Sequence, residues 1–219
     1  MNENLTEMVF ILDGSGSMYD LTDDTVGGFN AMIEKQKQEA GEALVSLVVF
    51  NTVSRVILDR VPLEKVEKLT REDYAPRGCT ALLDAMGNAI HHIGNVHKYA
   101  REEDRPGRTV FVITTDGMEN ASRFWSSDKV KAAVSRQKEK YGWEFLFLGA
   151  NIDAVETASR YGIGADRAVT FLNDEAGVEL NFRTVGRTIA KMRACHPSEG
   201  PMDGSWKEEI EEDMKKRGR

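Results

Sequence analysis

In the stretch FILDGSGSM, Asp13, Ser15 and Ser17 alternate with Gly14 and Gly16, directly after an apolar run and before a helical pattern. A carboxylate and two hydroxyls spaced this way on a tight loop offer oxygens to one point. Two chemistries use such a loop, a cradle for phosphate and a cage for a hard cation. Phosphate is poorly served. The dinucleotide fingerprint needs a third glycine, but Gly14-Ser15-Gly16 is followed by Ser17, Met18 and Tyr19, and the chain contains no Gly-Lys-Ser or Gly-Lys-Thr. Asp13 would also repel a phosphate unless a cation came with it. A phosphohydrolase with Asp13 as nucleophile needs a second acid two residues later, where this chain has Ser15.

The cation reading finds further donors downstream. Thr80 in RGCTALLDAMGNAI stands at the start of a helical pattern, and Asp116 in VFVITTDGMEN ends an apolar run and precedes Gly117. Two carboxylates and three hydroxyls suit Mg²⁺ or Mn²⁺, which favour oxygen. Mg²⁺ takes roughly six ligands and keeps some waters, so a position stays open for a partner's carboxylate. Gly14 and Gly16 are expected to give the loop unusual backbone dihedrals. Each residue also has a plainer reading. Ser15 and Ser17 could cap the next helix, Thr80 could be an N-cap, and Asp116-Gly117 could be a turn.

The elements that must position these residues follow from hydrophobic periodicity. Strands are expected over Met8–Leu12, Ala43–Phe50, Arg108–Thr115, Trp143–Ala150 and Arg167–Phe171, with Ser54–Val61 as an antiparallel hairpin partner at the edge. Helical spacing links Val26, Phe29 and Ile33; Leu82, Met86, Ile90 and Ile93; Val130, Val134 and Tyr141; and Phe182, Val185, Ile189 and Met192. A short helix over 156–162 is expected to end at Gly162. Alternating strands and helices predict an α/β, doubly wound, mostly parallel central sheet with one antiparallel edge strand and helices on both faces. Ligands of such sheets collect beyond the carboxyl ends of the strands, where Asp13 and Asp116 fall.

Composition narrows the function classes. The chain has 219 residues, 41% hydrophobic and 30% charged, which suits a folded domain rather than a disordered one. A net charge of −7 argues against a sequence-independent grip on nucleic acid and favours a cation. No apolar run reaches the roughly 20 residues of a membrane span. MNENLTEMVF lacks the features of a secretory signal, and Cys79 and Cys195 form no framework, so a reduced, cytoplasmic setting is expected. The expected division is one domain over 1–195 and a linker with a charged, solvated C-terminal tail over 196–219.

DGSGSM, CTALLDA and TTDGMEN, in that order, closely resemble the motifs of the von Willebrand factor A domain over roughly residues 5–195. The resemblance implies a metal-ion-dependent adhesion site (MIDAS) with Asp13, Ser15, Ser17, Thr80 and Asp116 as metal residues. The serines and Thr80 would contact the ion directly or nearly so, and the two Asp directly or through water. GGFNAMIEKQKQEAGEALVSLVVF and EKYGWEFLFLGANIDA look like small stand-alone bacterial members. Family members are mostly binding modules, so the expected function is not enzymatic. It is Mg²⁺-dependent binding of a protein partner that supplies Asp or Glu, without nucleic acid or membrane. The alternatives are the Asp13 phosphohydrolase and a scaffold with a structural metal.

Met18, Tyr19, Glu119 and Asn120 are expected at the rim facing a partner, with Phe124 and Trp125 as an aromatic edge or as core. His91, His92 and His97 lack the spacing that shares a helix face, which argues against zinc. Cys79 reads as a small buried residue, and the lysines and arginines over 129–140 as a solvated helix face.

Overall fold

The computed structural model describes residues 1–195 and 203–218. Residues 196–202 of the expected linker lie outside that range.

Among the described residues, six strands form one sheet: β1 (Asn2–Asp13), β2 (Glu42–Phe50), β3 (Ser54–Pro62), β4 (Pro106–Thr115), β5 (Glu144–Ala150) and β6 (Ala168–Phe171). Their order is β3-β2-β1-β4-β5-β6, parallel throughout except for β3 against β2. The expected α/β architecture is therefore present. Chain order reverses between β1 and β4, and the crevice at their carboxyl ends is where a doubly wound sheet takes its ligand.

The strands are nearly continuous apolar runs because both faces are covered. Met8, Phe10 and Leu12 pack with Phe29, Met32 and Ile33 of α1 (Thr22–Gln36) and with Val185, Ile189 and Met192 of α6 (Glu175–Ala194). Val9 and Ile11 face α3 (Leu82–Tyr99), α4 (Ser127–Tyr141) and α5 (Ala154–Arg160).

β1 begins six residues before the expected Met8, in polar sequence. Thr6 and Glu7 are buried there, a placement that hydrophobicity cannot forecast. Glu7 is tolerated because Arg60 Nε reaches its oxygens at 2.9 and 3.1 Å and His97 Nε2 lies 3.1 Å away. The three histidines diverge, His91 to Asn95, His92 to Asp59 and His97 to Glu7, as their spacing implied.

Two short elements were not evident from periodicity. α2 (Arg71–Tyr74) is one turn held by a capping box between Thr70 and Asp73, and it delivers Tyr74 into the core beneath the Asp13 loop. At the other end, α7 (Glu208–Arg217) is docked, which corrects the expectation of a solvated tail. Ile210 is buried, Trp206 Nε1 donates to Asp166 O at 2.8 Å, and Arg187 pairs with Glu209 at 2.7 Å. Trp206, Ile210 and Met214 recur every fourth residue, a narrow apolar stripe that the surrounding charges mask. Among the described residues, no helix is long and apolar enough to cross a membrane.

Candidate metal centre

Asp13 is the last residue of β1, and its backbone is held from below by the buried Tyr74 hydroxyl, which donates to Asp13 O. Gly14 N donates to Phe50 O at 2.7 Å, and a Cβ at Gly14 would stand 2.8 Å from Val49 Cγ1. Glycine is thus required at position 14 by close approach to β2, which corrects the expectation of unusual dihedrals. In the segment leading to Thr80, Gly78 takes a left-handed backbone, with φ +74°, and its carbonyl accepts from Gly16 N at 3.1 Å. Arg77 N donates to Gly14 O at 2.8 Å, so the segment leading to Thr80 is fastened directly onto the Asp13 loop.

The hydroxyls do not cap helices. Ser15 precedes a 3₁₀ turn without a capping hydrogen bond; its Oγ lies 3.1 Å from Ser17 Oγ and 3.4 Å from Asp116 Oδ1. Thr80 is buried and does not cap α3, whose N-cap position is Ala81. The free amides there are taken by the loop after β4. Glu119 Oε2 accepts from Leu83 N at 2.8 Å, and Ser122 Oγ from Asp84 N at 3.0 Å. Asn120 Oδ1 accepts from Thr80 N at 2.9 Å, and Asn120 N donates to Thr80 O at 3.0 Å. Asp84 in turn accepts from the backbone amides of Arg123, Phe124 and Trp125. Reciprocal bonds of this kind fix the Thr80 and Asp116 loops against each other.

The hydrogen-bond partners of the two carboxylates are all neutral. Asp13 Oδ1 accepts from Ser15 N at 2.8 Å, and Asp13 Oδ2 from Thr115 Oγ1 at 2.6 Å. Asp116 Oδ2 faces Asn173 Nδ2 at 3.4 Å, and Asp116 O accepts from Asn151 Nδ2 at 3.2 Å. Among the described residues, no Lys, Arg or His pairs with either acid. Burial pushes the Asp13 carboxyl above its ordinary range, with a further push from Asp116, while hydrogen bonds from Thr115 and Ser15 pull the other way. Two buried acids facing each other without a cation are unfavourable, and a divalent ion would relieve both. The donor set therefore fits a hard cation. Among the described residues, no group of three His, Cys, Asp or Glu forms a cage, so hydroxyls must complete the set.

The rim differs from expectation at two positions. Met18 is buried in the core, where the 3₁₀ turn points it inward. Glu119 is spent on α3 and on Ala121 N and Ser122 N, whereas Asn120 stays exposed while its Oδ1 accepts from Thr80 N. Tyr19 does face solvent, at 71% exposure, as do Met118 and Phe124. Trp125 instead packs against the core, its Nε1 donating to Asn88 Oδ1 at 2.9 Å. Cys79 is exposed rather than buried. The sequence reading missed Thr115, Asn151, Asn173 and Tyr74. Three of these lie at carboxyl ends of strands, a position that could have drawn attention to them; nothing local marks Tyr74.

No protein-family model matches the chain, and no curated protein does. Solved structures are similar in fold. Proximal thread matrix protein 1 from the mussel byssus, solved with a zinc-occupied MIDAS motif, is 15% identical over 84% of this chain and 46% of that one, with TM-score 0.58. The pilus adhesin SpaC from Lactobacillus rhamnosus GG is 12% identical over 88% of this chain and 31% of its own, with TM-score 0.66. A von Willebrand factor type A protein from Catenulispora acidiphila is 17% identical over 84% of this chain and 42% of its own, with TM-score 0.50. This chain spans less than half the length of each of these proteins. With its strand order, its single antiparallel edge and these structural likenesses, the chain has the fold of a von Willebrand factor A domain.

Proposed function

We propose that the chain is a divalent-cation-dependent protein-binding module and not an enzyme. Asp13, Ser15, Ser17, Thr80 and Asp116 would hold Mg²⁺ or Mn²⁺, and an Asp or Glu of a protein partner would complete the shell. The observation that carries this reading is the pair of buried acids, Asp13 and Asp116, gathered with hydroxyls at the switch point and left without a cation of the chain's own. Zinc at the MIDAS motif of the byssus matrix protein supports the placement by likeness of fold.

What this chain's residues do follows from their contacts. Thr115 and Ser15 N fix the Asp13 carboxylate, Asn151 and Asn173 fix Asp116, and the Asn120 pair fixes Thr80. An ion held by two carboxylates and neutral hydroxyls is close to charge-neutral overall and keeps its attraction for one more acid. Tyr19, Met118 and Phe124 offer apolar surface on the loops around it. The phosphohydrolase alternative is less well served, because no acid stands at position 15 to act as the acid/base partner of Asp13.

The test is affinity capture from native lysate in Mg²⁺ and in EDTA, with Asp13→Ala as control bait. Proteins retained only by the wild type with Mg²⁺ support the reading. The same set of proteins in all three samples, or none, favours a structural metal.

A further inference from the structure

We propose that Asn173 is a positioning residue of the cation site: its amide nitrogen sets the orientation of the Asp116 carboxylate, and its carbonyl oxygen accepts from the hydration shell of the ion. The proposal rests on the cation reading above.

Asn173 lies in the turn between β6 and α6. Its Nδ2 faces Asp116 Oδ2 at 3.4 Å. A carboxylate only accepts, so the nitrogen must be the atom on that side, and the carbonyl oxygen then points elsewhere. That oxygen is buried and has no partner. Buried acceptors are nearly always satisfied, and an exception calls for a donor that the bare chain does not supply. The waters that Mg²⁺ or Mn²⁺ retains are such donors, and they would stand beside Asp116.

The residue type fits the task. A Lys or Arg at this position would neutralise Asp116 and repel an incoming cation, whereas an amide orients the acid and leaves its charge intact. With Oδ2 held by Asn173, Oδ1 is the oxygen turned toward Ser15 Oγ, at 3.4 Å. The turn itself is anchored. Asp174 caps α6 by accepting from Gly177 N at 2.8 Å, and its carboxylate pairs with Arg217 of α7 at 2.7 Å. Asn151 completes the arrangement from β5 by holding the Asp116 carbonyl. Asp116 is thus oriented by amides from the two strands beyond its own.

The experiment is titration of the full chain with Mn²⁺ alone, following affinity by calorimetry and the coordinated water by proton relaxation. Wild type, Asn173→Ala and Asn173→Asp are compared, together with the thermal midpoint of each metal-free protein. Asn173→Ala should bind Mn²⁺ about 10–100-fold more weakly. It should also alter the water relaxation of the bound ion, with little change in the metal-free midpoint, because the unsatisfied oxygen it removes offsets the lost contact to Asp116. Asn173→Asp places a third acid at the site, so it should lower the metal-free midpoint yet bind Mn²⁺ at least as tightly as wild type. Equal affinity and relaxation in wild type and Asn173→Ala would overturn the role of Asn173 alone. Failure of the wild type to bind Mn²⁺ would overturn the cation reading and this proposal with it.

Discussion

Glu7, midway along the central strand, and Asp13, at its carboxyl end, are both buried carboxylates, and they are treated in opposite ways. Glu7 is answered by the chain itself. Arg60 grips both its oxygens from the edge strand, and His97 approaches from α3. Arg60 takes a left-handed backbone, φ +51°, to do this, at an irregularity in the β2–β3 pairing, and its own N–H is met by Ser46 Oγ at 3.0 Å. Asp13 receives only a hydroxyl and an amide, and its nearest charged neighbour is another acid, Asp116. A buried charge that the fold neutralises is structural. One that the fold orients and leaves charged is a site for an ion from outside.

The first way to break this comparison is to remove Glu7. Glu7→Ala leaves Arg60 mostly buried without its acid, and it should destabilise the chain by about 3–5 kcal/mol in urea unfolding. A loss below about 1 kcal/mol would mean that Glu7 is not the paired structural charge described.

Asp13 should behave in the opposite sense. Saturating Mg²⁺ at a hundredfold excess over its dissociation constant should stabilise the wild type by about 2.7 kcal/mol. Asp13→Asn should abolish that gain while leaving the metal-free protein as stable as wild type or more so. A large metal-free loss in Asp13→Asn would place Asp13 with Glu7 as a structural group.

Acidity sharpens the contrast. The Asp13 carboxyl is held above its ordinary range chiefly by burial, so the native state takes up its proton more readily than the unfolded chain. The stability this contributes is full below the ordinary carboxylate value and is lost as pH rises through the raised one. In the metal-free protein, the advantage of Asp13→Asn over wild type should therefore appear at neutral pH and close on acidification. Mg²⁺ affinity should fall over the same acid range, because the proton competes with the ion. Thermal scans of both proteins across pH, with and without Mg²⁺, check the two trends together.

The smallest effect is expected beneath the site. Asn181 of α6 is buried with both amide atoms unpartnered, in a cavity that Asp13, Thr25 and Tyr74 also line. Asn181→Leu should raise stability by about 1 kcal/mol. A loss instead would show that the amide serves the Asp13 end of the strand through a bridging water.

Much of the fold could be read because its strands are buried on both faces and therefore spell continuous apolar runs, as in VVF and FLFL. Polar residues broke that reading. The first half of β1, the single turn of α2 and the docking of α7 all depend on partners distant in sequence. The same division holds at the candidate site. Asp13, Ser15 and Ser17 announce themselves by local spacing, since neighbours on one loop must converge. Glu119 also looked local, beside Asp116, yet its side chain turns inward to α3.

The sequence by itself determined the layered α/β class, the alternating oxygens after β1 and the placement of Asp116 after β4, because periodicity and strand-end position are properties of short segments. Only the tertiary structure decided which buried acid was paired and which was left open. Pairing depends on Arg60 and His97 reaching Glu7 from other elements, and on Thr115, Asn151 and Asn173 reaching the acids without bringing charge. Those contacts span distances along the chain that no local pattern encodes, and it is burial in the finished sheet that makes them matter.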